Sequence, residues 1–74
     1  MGDDLSPREV VVFAATAAAP RPLDKLIGQH IRGNQGAYGI VAEAMLQKAS
    51  GVEEAAALLR LCVYEELRAG PKAH

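Results

Sequence analysis

The chain has 74 residues, of which 50% are hydrophobic and 23% charged, with eight Lys and Arg against nine Asp and Glu for a net charge of −1. That composition excludes an intrinsically disordered chain, and the near-neutral charge removes any global attraction to nucleic acid or anionic lipid. The longest apolar run, Val10 to Ala19 broken by Thr16, is about half the roughly twenty residues a spanning helix needs, so no membrane partner is expected.

In chain order, residues 1–5 read as a tail. The start Met-Gly-Asp-Asp-Leu is acidic where a secretory signal is basic, so a cytoplasmic location is expected. Ser6-Pro7-Arg8-Glu9 is a helix-start signal, with a hydroxyl cap, proline at the first helical position and a Glu three residues after the cap. The first predicted helix runs from Pro7 to Ala19. Val10, Val11, Val12 and Phe13 are consecutive, and at about 100° per residue they point nearly all round its axis. Val-Val-Val-Phe also suits a buried strand, but the cap and the alanines that follow favour helix.

Pro20-Arg21-Pro22 ends that helix, and a second is predicted from Leu23. Leu23, Leu26, Ile27, His30 and Ile31 recur at three- and four-residue spacings as its apolar face, opposite Arg21, Lys25 and Arg32 with Asp24 beside them. Four glycines then fall within twelve residues, Gly28, Gly33, Gly36 and Gly39, each costing a helix roughly 1 kcal/mol relative to Ala. Segment 33–39 is either a loop or a kinked continuation. A third helical pattern spans Ala37 to Ala49, with Ala37, Val41, Ala44, Met45 and Ala49 on one side. Ser50-Gly51-Val52-Glu53 repeats the capping logic and opens a last helix whose core face is Val52, Ala55, Leu58, Leu59, Cys62, Val63 and Leu67. Gly70-Pro71 supplies the stop, and residues 71–74 read as a second tail.

The glycines carry two readings. Gly33, Gly36 and Gly39, spaced by three, form a smooth stripe for close helix approach or a simple bend. Alternatively, exposed backbone N–H groups with His30, Arg32, Gly33 and Gly36 form an anion-binding site. The phosphate-loop spacing Gly-x-x-x-x-Gly-Lys-Ser/Thr is absent. Arg32-Gly33, with Tyr38-Gly39 six residues on, resembles the glycine spacing of histidine-phosphotransfer domains, which implies a phosphorylatable histidine four residues before Gly33. Gln29 stands there, and His30 is displaced by one place, about 100° round the helix.

The opening Leu5-Ser6-Pro7-Arg8-Glu9 looks like the first helix of some helix-turn-helix regulators. The second helix, however, offers only Lys25, Gln29 and Arg32 for base reading and phosphate contact, so nucleic acid is not the expected partner. Basic residues on the second helix and Glu53, Glu54, Glu65 and Glu66 on the last form opposed fields that either steer docking or stay solvated. Tyr38 and Tyr64 are expected at the rim, polar at the hydroxyl. Cys62 is expected as a small buried hydrophobe. No Ser/His/Asp set, carboxylate pair or metal-site spacing can be assembled, which points away from an enzyme and to no cofactor.

The sequence therefore predicts one all-α domain over residues 1–74, a small three- to four-helix bundle. By surface scaling a chain of this mass buries only about 60% of its unfolded surface, which usually calls for a staple or a partner, and the single Cys62 closes no internal disulfide. The expected function is a protein–protein interaction module. The expected partner is a second copy, as a homodimer that completes the bundle, or another protein, through Val10, Val11, Val12, Phe13, Leu59 and Val63.

Overall fold

A computed structural model describes residues 6–17 and 20–70 of the chain. They form α1 (Pro7–Ala17), α2 (Pro22–Gly33), α3 (Gln35–Lys48) and α4 (Val52–Ala69), with no strand among the described residues. The protein is thus an all-α four-helix bundle. The expected tails and the last two residues of the first predicted helix, Ala18 and Ala19, lie outside the described residues.

The α1 cap forms as its sequence requires. The Ser6 amide donates to Glu9 Oε1 at 3.0 Å and the Glu9 amide to Ser6 Oγ at 3.4 Å, satisfying two N-terminal donors reciprocally. With the cap in place Val-Val-Val-Phe is helix, not strand. α2 starts one residue earlier than predicted, because Pro22 occupies its first position, where a fixed φ and a missing N–H cost nothing. α4 corrects the second capping box. Its cap residue is Gly51, one place later than Ser50. Glu54, not Glu53, therefore reaches back, accepting from the Ser50 amide at 2.8 Å and from the Ser50 hydroxyl at 2.7 Å. Those bonds, the amide's foremost, hold the Glu54 carboxyl below its ordinary range. The predicted stop holds: Gly70 has φ 74°, a left-handed value glycine adopts freely, and its amide donates to the carbonyls of Glu66 and Leu67.

Helices α2 and α3 are separated by one residue, Asn34, and α3 begins at Gln35, two residues before the predicted start. Asn34 turns its side chain back to donate to the His30 carbonyl at 2.9 Å. Segment 33–39 is therefore almost entirely helical, broken at a single point, and no glycine within it has a positive φ.

The core is Val11 and Ala15 of α1, Ile27 and Ile31 of α2, Tyr38 and Ala42 of α3, and Ala55, Ala56, Leu59 and Val63 of α4. Ile31, Leu59, Val11 and Val63 are the largest fully buried side chains, each contributing on the order of 1.5–3 kcal/mol by burial. Helix α1 packs on all three others and supplies the centre of the bundle.

Two predicted faces are rotated. On α2 the buried side is Asp24, Ile27, Gly28 and Ile31, while Leu23 and Leu26 are exposed. The cause is Asp24, placed on the outer side by its charge but only 3% exposed because it accepts from Arg60 of α4 and from Arg21 Nε at 3.0 Å. On α3 Ala37 and Ala44 are exposed, and Tyr38, Gly39 and Ala42 face inward. That helix is apolar nearly all round, so periodicity alone gives it no phase. Tyr38, expected at the rim, is 6% exposed because its hydroxyl finds a partner in Glu66.

Candidate functional site

The apolar run of α1 divides across two sides of the helix. Val11 is fully buried in the chain's own core, as are Leu59 and Val63 of α4, whereas Val10 and Val12 are half-buried and Phe13 is 68% exposed. Of the six residues expected at an interface, Val11, Leu59 and Val63 are therefore enclosed by the single chain; the outward set is Phe13 with Val12 and Val10.

Phe13 borders an open groove of about 770 Å³. One wall is α1, with Arg8, Glu9, Val12, Phe13 and Thr16, and the other is the end of α2 and start of α3, with Arg32, Gln35, Gly36, Gly39 and Ile40. Ile40 is 67% exposed, a second large apolar side chain facing water beside the first. Local sequence explains the floor. A Cβ built on Gly36 or Gly33 meets nothing within 4 Å, and one on Gly39 meets only the Arg8 side chain at 3.7 Å. Of the glycine stripe read as a helix-packing surface, Gly33 and Gly36 face open space, while Gly39 is buried against the Arg8 side chain of α1. Close approach occurs instead at Gly28, whose Cβ would stand 3.4 Å from the Thr16 carbonyl oxygen.

The groove's direction follows from its contacts. Arg8, in the first turn of α1, lies beside Gly39 and pairs with Glu43 at 3.5 Å, while Thr16, near the other end of α1, lies beside Gly28. Glu9 and Ile40 consequently mark one end, and Arg32, one turn after Gly28, marks the other. From Glu9 to Thr16 the axial rise is about 10 Å. Arg32 makes no ion pair among the described residues. The Arg8–Glu43 pair is exposed on both sides and worth little, about 0–1 kcal/mol.

The candidate anion site does not assemble. His30 and Arg32, two positions apart, are turned about 200° from one another round α2. Arg32 and Gly36 border the groove just described, whereas His30 borders a second one of about 570 Å³ with Leu23, Leu26, Gln29, Tyr64, Leu67 and Arg68. Gly33 stands in open space. His30 instead belongs to a junction of three helices. Its Nε2 lies 3.9 Å from Glu66 Oε1, the oxygen that accepts from the Tyr38 hydroxyl, and its ring tilts 57° against Tyr38 at a centroid distance of 5.8 Å. Burial first, and then the bond to Glu66, hold the Tyr38 hydroxyl protonated well above the range of a free tyrosine. That makes Tyr38 a donor fixing α3 to α4 and a poor acid. Among the described residues no group of three His, Cys, Asp or Glu side chains is placed to hold a metal ion. Cys62 is half-buried on α4. Lys25, Gln29 and Arg32 are all exposed on α2, and no helix of the described chain is long and apolar enough to cross a membrane.

Sequence reasoning missed two features. Ile40 falls inside a helix with apolar residues on every side, so periodicity does not mark it. The Asp24–Arg60 pair, which also sets Arg60 Nη1 2.8 Å from the Ala15 carbonyl, joins residues 36 positions apart and leaves no local signal. The chain matches no protein-family model, no curated protein and no solved structure.

Proposed function

We propose that this protein is a helical protein–protein interaction module that self-associates through the outward side of α1. The observation that carries the reading is that Phe13 and Ile40, both about two-thirds exposed, border one groove whose floor at Gly36 is open among the described residues. Large aromatic and aliphatic side chains flanking a groove supply the anchors from which interfaces draw most of their energy.

Magnitudes set the expected strength. If a free aromatic side chain spans about 200 Å², Phe13 leaves about 140 Å² to be covered, and two copies gain roughly 7 kcal/mol from it at about 25 cal/mol per Å². Association costs about 4–15 kcal/mol, so Phe13 alone only offsets the loss of freedom. Covering Ile40 and Val12 as well brings the balance toward micromolar affinity, about −8 kcal/mol. The expected state is a dimer that dissociates on dilution.

Sedimentation velocity over a concentration series tests this. A shift from monomer to dimer between low micromolar and millimolar protein is expected, and a folded monomer throughout rejects the reading. Phe13→Glu should abolish the shift while leaving the helical circular dichroism intact. Val11→Glu should instead unfold the chain, because Val11 sits in the single-chain core.

A further inference from the structure

We infer that the groove is covered by a second copy of this chain about a two-fold axis that sets Glu9 of each copy against Arg32 of the other; the inference rests on the self-association reading. The argument is charge complementarity. The two ends of the groove carry opposite charges on opposite walls, Glu9 on α1 and Arg32 at the end of α2. The remaining rim cation, Arg8, already lies against Glu43 of its own chain. A two-fold contact is self-complementary, so whatever one copy offers the other must accept. A surface with one acidic end and one basic end satisfies that condition when the copies meet in reverse sense, and each dimer then holds two Glu9–Arg32 pairs. Phe13 and Val12 lie between Glu9 and Thr16 on α1 and so come to the middle of the contact, where apolar anchors are best shielded from water. The open floor at Gly36 leaves room there for the partner's ring.

The competing occupant, an apolar segment of an unrelated protein, imposes no such reciprocity. Reversal of both charges in one chain discriminates the two. Glu9→Arg and Arg32→Glu each place like charges opposite one another at two points of the dimer, and each should raise the dimer Kd on the order of tenfold or more. The double variant restores both pairs with sign exchanged and should return the Kd to within about threefold of the parent. Glu9 also caps α1, so Glu9→Gln, which keeps the capping acceptor and drops the charge, serves as its control and should weaken the dimer less than Glu9→Arg. Arg32→Glu touches no cap and carries the test if Glu9→Arg melts the helix. All variants are read by sedimentation equilibrium, with circular dichroism reporting the fold. A parent that dimerises while the single reversals do nothing, or while the double variant is worse than either, overturns this docking mode and leaves self-association standing. A parent that stays monomeric at millimolar concentration overturns both.

Discussion

At one end of the seam between α1 and the α2–α3 arm, Gly28 brings the backbones together beside Thr16 and a buried charge pair, Asp24 with Arg60, locks the contact. At the other end Gly36 faces open space, Gly39 meets only the flexible Arg8 side chain, and Phe13 and Ile40 stand exposed across the gap. The same helix and the same residue type give a sealed joint in one place and an open groove in the other. The difference lies in what α4 contributes. Arg60 reaches across to the Ala15 carbonyl and to Asp24 at the sealed end, whereas the open end, among the described residues, is lined by α1, α2 and α3 with nothing from α4.

The largest effect is expected on breaking the sealed end. Arg60→Ala removes charge-assisted bonds to Asp24 and Ala15, each worth about 1.5–3 kcal/mol at a charged group, and leaves Asp24 with only the exposed Arg21. Urea unfolding should show a loss of about 2–3 kcal/mol, a large share of the roughly 4–11 kcal/mol expected of a chain this size. Acid should find the same joint. Arg21's hydrogen bond foremost, then its charge and that of Arg60, hold the Asp24 carboxyl below the ordinary carboxylate range despite its burial. Asp24 therefore stabilises the fold above the unfolded value of about 3.9, and that contribution is lost as pH falls through the folded value. Asp24→Asn should flatten this acid limb in a pH series of thermal melts; an unchanged slope would mean the pair does not tie protonation to folding.

The glycines sharpen the comparison with opposite signs. Gly28→Val drives a branched side chain into the Thr16 backbone, which as overpacking costs about 1–3 kcal/mol. Gly39→Ala adds a methyl at ordinary contact distance from the Arg8 side chain and gains helix propensity, so folding stability should rise by about 0.5–1 kcal/mol. Equal and small effects at both sites, read from urea midpoints, would erase the distinction between a sealed and an open end.

What the sequence discloses of this arrangement is the local part. Ser6 with Glu9, and Gly70, set their helix ends through bonds spanning three or four residues, so their residue types alone announce the geometry. A three- to four-helix bundle and the core face of α4 that holds Leu59 and Val63 follow from periodicity, while the break at Asn34 that makes the count four does not. Which of the glycines packs is not a local property: Gly28 and Gly36 are alike in sequence and differ only in having Thr16 opposite one and open space opposite the other. Asp24 is drawn inward by a residue 36 positions away, which also turns α2. Four consecutive apolar residues give α1 no phase, so that Val11 and Phe13 look equivalent in the sequence and are opposites in the fold.

Phe13 gives the smallest effect on folding and the most telling one. Because it is 68% exposed, Phe13→Ala should change single-chain stability by no more than about 0.5 kcal/mol, as for surface positions generally, when unfolding is followed at protein concentrations below the dimer Kd. Above that concentration the parent gains stability by mass action and the variant does not, so the two unfolding curves should coincide in dilute solution and separate as protein is added. A concentration-independent loss of several kcal/mol would place Phe13 in the core and close the groove. A difference that grows with concentration assigns the ring to the contact between copies, which covers the open end of the seam.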